Sequence, residues 1–464
     1  MGTGLAFASF LFAAVTSVTP AALTHTFTAT MEHQIDDLGA TIVRSGRSPG
    51  LAIGVVEDGR IVYAHGFGYA DLEHHFRFEP GTQTYVGSIS KQFTAAAILL
   101  LQQDGKLKLD DPVTRYVPEL TIAKGVTIRE LLDQTAGLPD ESAAAIDQDR
   151  TKSFKISDLI AAMDKLHLVS TPGAQFRYNN FNYALAGLIV ERAAGVPLSD
   201  YLQQRIFIPL LMNQTFLAGD SGISPRHAVG YTGAPDAFEP TGRWDPAWLF
   251  GDGGVVTNVY DLAKWDIGMP LLLRVDAMRE MFTPSDAPGA MRYGLGWVID
   301  QRSGKRYIWH NGEIGGYHAM NAVLPDDHVA VIVLANVDAL RSPQVVQPEE
   351  VAGRILDIVL PPSRARVDNA IVAKAKEWLF RIAEKNIDRT QLTPAFSAYL
   401  TDALVARADF AAFGKPLDVI PIASVTQADG GTLYEFLVRF QNGQYHYRFG
   451  LTRDGKIDEI LLVP

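Results

Sequence analysis

The sequence predicts a mixed α/β (α+β) protein. Its expected core is an antiparallel sheet built from both ends of residues 25–362, with flanking helices and an inserted helical region. A small C-terminal α+β domain, residues 369–464, completes it. Three observations carry this reading: β-branched hairpin patterns near residue 51 and again between 293 and 335, helical patterns between them, and a second alternating meander after a proline-rich break. A lone hairpin is marginal in water, so the two strand groups are expected to share one sheet.

Each element follows from local pattern. Leu5 to Val15 is a short apolar run followed by small residues up to Ala22, too short to span a bilayer comfortably, and no Lys or Arg occurs before Arg44. Residues 1–24 are expected to be a signal peptide, which places the protein in the periplasm or outside the cell. Leu51 to Tyr69 reads as a hairpin around Asp58-Gly59. Ser88 to Gln103 reads as a buried helix closed by Gly105.

Further helices are expected over Ile128–Gln134, Ile156–Leu166, Asn182–Ala194 and Val259–Gly268. Strands are expected over Tyr293–Ile299, Arg306–His310, Tyr317–Leu324 and Val329–Ala335, then a helix over Glu349–Val359. Pro361-Pro362-Ser363 reads as a linker. Beyond it come a helix over Ile371–Lys385 and strands over Leu433–Phe440, Tyr445–Leu451 and Ile457–Val463, with turns at Asn442-Gly443 and Asp454-Gly455. Tyr445, Tyr447 and Phe449 alternate, and such a curved sheet could present them as a concave face over a cleft or a partner subunit.

With 464 residues the chain has room for two domains. A formal charge of −11 without basic clusters argues against nucleic-acid binding. The absence of Cys excludes disulfides, thiolate metal sites and a cysteine nucleophile. No later segment has the length of a membrane span. His74 and His75 read as surface residues, so no metal is expected.

Ser88-Ile89-Ser90-Lys91 is the central motif. Residues i and i+3 share a helix face, so hydroxyl and ammonium would sit side by side, and a serine needs such a neighbour to take its proton. By itself this spacing equally fits an N-capping serine and a solvated lysine. A Tyr178-Asn179-Asn180 string follows Pro172-Gly173. A tyrosine, with an ordinary pKa of about 10, is a feeble base, but beside an ammonium it can be partly ionised and shuttle protons. Asn180 could hold Lys91 or donate to a substrate carbonyl. His310-Asn311-Gly312 ends an apolar strand ahead of Gly315-Gly316, where substrate backbone could lie alongside, and His310 could hold the Tyr178 phenolate. Trp244, Trp248 and Phe250 could line a pocket or simply pack under a loop. No nucleophile elbow of the Gly-x-Ser-x-Gly kind is recognised.

In order and spacing, Ser-Ile-Ser-Lys, Tyr-x-Asn and His-Asn-Gly resemble the three motifs of the β-lactamase-like serine hydrolases, a family that includes penicillin-binding proteins, D-amino-acid peptidases and esterases. Leu131-Leu132-Asp133-Gln134-Thr135-Ala136-Gly137-Leu138-Pro139 is similar to that family's "LLxHTSGLP" segment, with Gln134 in place of His. The likeness spans about residues 30 to 360.

The resemblance implies Ser88 as nucleophile, with Lys91, Tyr178, Asn180 and His310 as its catalytic partners. It also implies oxyanion donors at Ser88 and Glu313, and substrate contacts at Gly312, Gly253 and Gly254. An acyl-enzyme forms without a cofactor. His310 stands where β-lactamases usually carry Lys, which favours a D-amino-acid peptidase, amidase or esterase over the alternatives, a β-lactamase or DD-carboxypeptidase, or a penicillin-binding sensor that never turns over. The partners implied are a small-molecule or peptide substrate, with a homo-oligomer also allowed.

Overall fold

The computed structural model describes residues 26–219, 227–242, 244–289, 291–362, 364–402, 405, 416–427, 429–441 and 443–463. The expected signal peptide, Ser363 of the expected linker and Asn442 of the expected turn lie outside these residues.

Helix α1 (Ala29–Arg44) opens the described chain, capped by Thr28, whose side chain accepts from the Met31 amide, and it buries Ile35, Gly39 and Ile42. Strands β1 (Gly50–Glu57) and β2 (Arg60–Asp71) form the expected hairpin, and β3 (Phe76–Arg77) extends it. Four strands come from the other end of the region: β4 (Val298–Arg302), β5 (Lys305–Ile314), β6 (Tyr317–Leu324) and β7 (Val329–Ala335). Together they make one antiparallel sheet in the order β3-β2-β1-β7-β6-β5-β4. Strand β1 pairs with β7 along its length, Leu51 against Ala335 through Glu57 against Val329, so the two ends of the region meet at the sheet centre.

Both faces of that centre are covered, which explains why β1 is buried at every position. Leu51, Ile53 and Val55 face α1 and α7 (Pro348–Val359), joining Ile35, Ile42, Val351 and Ile355 in one core. Ala52 and Val56 face the other way, into a larger core with the inserted helices: α2 (Ser90–Gln103), α3 (Ile128–Leu132), α4 (Ile156–Met163), α5 (Asn180–Ala194) and α6 (Val259–Leu272). The strand expected over Tyr293–Ile299 is not one strand. Pairing starts at Val298, and Gly296, at φ +81°, turns the preceding chain inward against the Lys91 carbonyl, where an extended strand could not go.

Past residue 362, α8 (Asn369–Ala383) packs on a sheet of β8 (Pro416–Thr426), β9 (Thr432–Phe440), β10 (Gly443–Leu451) and β11 (Ile457–Val463), paired in that order. The sequence pattern gave no sign of β8, whose proline-containing run breaks the alternation. Tyr447 and Phe449 do not form a concave binding face: both are fully buried beside Trp378 and Leu379 of α8, and Tyr447 donates its hydroxyl to the Ala375 carbonyl. The opposite, polar face looks toward the larger sheet. There Arg448 pairs with Asp300, and Asp357 accepts from both Arg302 (3.1 Å) and His446 (3.0 Å).

Candidate active site

Ser88 lies in a 3-10 turn, Gly87–Ile89, that feeds directly into α2, so Ser88 and Lys91 stand one turn apart. Lys91 is fully buried. Its Nζ donates to Ser88 Oγ (3.0 Å), Asn180 Oδ1 (2.9 Å) and the Asp252 carbonyl (2.9 Å). A buried ammonium is tolerated only with such a complete set of acceptors. Two bonds fasten α2 to the loop that supplies Asp252: Thr94 donates to the Gly251 carbonyl (2.6 Å), and Ser90 Oγ accepts from the Val255 amide (2.9 Å).

Tyr178 is the exposed member, 41% accessible, with its ring centroid 5.0 Å from Lys91 Nζ. Asn179 caps α5 by accepting from the Phe181 amide (2.9 Å) and donates to the carbonyls of Leu138 and Pro139. Asn180 thereby starts the helix with its side chain at Lys91.

His310 departs from the sequence expectation. It is buried, and its hydrogen bonds go to the Tyr293 hydroxyl (Nε2, 2.8 Å) and the Asn311 carbonyl (Nδ1, 2.5 Å), not to Tyr178, whose ring centroid is 6.1 Å away. A carbonyl can only accept, so Nδ1 carries the proton and Nε2 accepts from Tyr293. Burial, reinforced by the Lys91 charge, pushes the imidazole down to about 3, so the ring is neutral near pH 7. Tyr293 was not singled out from the sequence, where it is only an aromatic ahead of Gly294-Leu295-Gly296.

Strand β5 pairs with β4 only as far as Trp309, so its outer edge from His310 to Ile314 is turned to the Ser88 turn. The two backbones nearly touch. A methyl group on Gly312 would lie 1.9 Å from the Val86 carbonyl oxygen and 2.8 Å from Ser88 N; one on Gly87, at φ +51°, would lie 2.8 Å from Glu313 N. This approach gathers the amides of Ser88 and Glu313. The Glu313 carboxylate turns away and accepts from the Ala339 amide (2.6 Å).

Gly253 and Gly254 are buried against Leu249, and the group this loop sends to Lys91 is the Asp252 carbonyl. Trp244 lines a small cavity beside β5 with Tyr85, His227, Leu249, Ile314 and Tyr317. Trp248 packs on Phe154, with the Arg150 guanidinium 4.0 Å above its ring, and Arg150 pairs with buried Glu141 (2.8 Å). The single Gly-x-Ser-x-Gly string in the chain is Gly46-Arg47-Ser48-Pro49-Gly50. Ser48 is buried between α1 and β1 and donates to the Gly50 carbonyl, so it forms no strand-to-helix elbow.

Comparisons with known proteins agree with this architecture. A family model described as Beta-lactamase matches residues 24–352. Protein flp of Staphylococcus aureus is 27% identical over 333 residues, 68% of this chain and 65% of that protein. The chain thus spans just under two thirds of the length of that curated relative. Among solved structures, the octameric penicillin-binding protein homologue from Pyrococcus abyssi superposes with a TM-score of 0.62 at 23% identity, covering 93% of this chain and all of the other. The D-amino acid amidase from Ochrobactrum anthropi superposes with a TM-score of 0.65 at 24% identity, covering 71% of this chain and 99% of the other.

Proposed function

The chain belongs to the beta-lactamase family of serine hydrolases, and from that premise we propose that it cleaves amides or esters of D-amino-acid type through an acyl-enzyme on Ser88. The observation that carries the reading is the Lys91 ammonium, buried and shared among Ser88, Asn180 and Asp252. While Lys91 donates all three hydrogens it cannot take the serine proton; the unit accepts it when the neighbouring Tyr178 has given up its own and stands as the phenolate beside the ammonium. Lys91 and Tyr178 act as one unit in this scheme.

Ser88 Oγ attacks the carbonyl carbon as its proton passes to that unit. The amides of Ser88 and Glu313 hold the oxyanion. The unit returns the proton to the leaving amine or alcohol, and water then releases the acyl group by the same route. Neutral His310 supports the choice of substrate: it gives the β5 edge no fixed cation for the carboxylate that β-lactams carry. The relatives fit as well, since one structural neighbour is a D-amino acid amidase.

A panel of a D-alanine anilide, a short-chain nitrophenyl ester and a chromogenic cephalosporin tests this. Turnover of the first or second should exceed that of the third, and Ser88→Ala should abolish both turnover and fluorophosphonate labelling seen by intact mass. Labelling that persists in Ser88→Ala would sink the assignment.

A further inference from the structure

Gln134 stands where the segment it resembles carries histidine, and its surroundings give it a task. It sits one residue beyond the C-cap of α3, fully buried, in the left-handed conformation at φ +65°, which side chains other than glycine rarely adopt. That turn aims two carbonyl groups of one residue at the same neighbouring segment. The main-chain carbonyl accepts from the Arg177 amide (2.8 Å), and the side-chain Oε1 accepts from the Asn179 amide (3.0 Å). These are the amides on either side of Tyr178. Oε1 also accepts from Asn182 Nδ2 (2.8 Å), which ties the clasp to the first turn of α5.

The side chain of Tyr178 needs this help. It is 41% exposed, with ring contacts to Tyr293 and His310 alone among the described aromatics. Its placement at Lys91 therefore depends on its backbone, and that backbone is held at both flanking amides by one residue. We propose that Gln134 is the positioning residue for Tyr178, acting on the phenol by clasping residues 177 and 179 and without touching substrate. The proposal rests on the catalytic reading of Tyr178 given above.

The test measures the rate of Ser88 labelling by a fluorophosphonate in the full chain, for Gln134→Leu, Tyr178→Phe, the double variant and Gln134→Glu. A displacement of catalytic groups by about 1 Å costs about 100-fold, so Gln134→Leu should label about 100-fold more slowly. In the Tyr178→Phe background the same change should cost less than about threefold, because residues acting as one unit are not additive. Gln134→Glu keeps the accepting oxygen and should stay within about tenfold of the parent, a rescue that loss of packing alone would not show. Should Gln134→Leu fail to fold, Gln134→Met, of similar length and without the acceptor, is measured in its place. Losses that multiply in the double variant, or a leucine variant that labels at the parent rate while Tyr178→Phe is slow, overturn the proposal alone. Parent-rate labelling by Tyr178→Phe overturns the catalytic reading of Tyr178 and the Gln134 proposal with it.

Discussion

A buried imidazole and a buried ammonium within one site must settle which of them is charged, and here the outcome is read from their partners. Lys91 has three acceptors, whereas His310 has one carbonyl and one hydroxyl and lies in the field of Lys91. Below its unfolded value of about 6.5 an exposed histidine binds a proton that folded His310, at about 3, refuses. The unfolded state then binds more protons, so this residue's share of stability is complete above about pH 6.5 and is lost as pH falls toward 3. At pH 4 the loss is about 3 kcal/mol. Urea unfolding of His310→Asn at pH 7 and pH 4 should show a shallower decline than the parent. An equal decline in both would mean that His310 is not the group responsible. The imidazole should likewise show no titration between pH 5 and 8 by NMR.

At the scale of elements, the candidate active site is the meeting of a helix-leading turn and a strand edge. Strand β5 loses its outer neighbour after Trp309, just where glycine lets its backbone close on the Ser88 turn. Gly312→Ala would drive a methyl group into the Val86 carbonyl, and backbone cannot yield as a flexible side chain would. The strand must move away from Ser88 and take the Glu313 amide with it. Loss of one oxyanion donor costs about 100- to 1,000-fold in kcat, and that is the expected effect. The rate constant for acylation from single-turnover mass spectrometry measures it, and a drop below tenfold would show that the Glu313 amide holds no oxyanion.

At the scale of the whole molecule, the described residues form three hydrophobic clusters, two on the faces of the large sheet and a third wholly within residues 367–462. What joins the third to the rest near β4 and α7 is charged: Arg448 with Asp300, and Asp357 with Arg302 and His446. Deleting residues 363–464 would therefore uncover ionisable groups at this contact, which water can solvate, and leave the two inner cores intact. A chain of residues 25–362 is expected to fold and to label at Ser88 within about threefold of the full chain, since none of the Lys91 ligands lies beyond residue 252. A fragment that folds by circular dichroism but does not label would show that the C-terminal sheet completes the site.

The sequence alone determined most of the elements and named the candidate site residues, because both are written in local pattern. Apolar, β-branched runs bounded by turn residues marked β1, β6 and β7, and the three-residue spacing brought Ser88 beside Lys91. Tertiary structure decided everything that depends on what arrives from elsewhere in the chain. Tyr293 takes His310 away from Tyr178, a main-chain carbonyl at Asp252 completes the Lys91 ligands, and Gln134 clasps a loop more than forty residues away. Such partners leave no periodic trace. A carbonyl is the same atom in every residue, and a hydrogen bond across the core is fixed by the path of the backbone, not by the spacing of side chains along it.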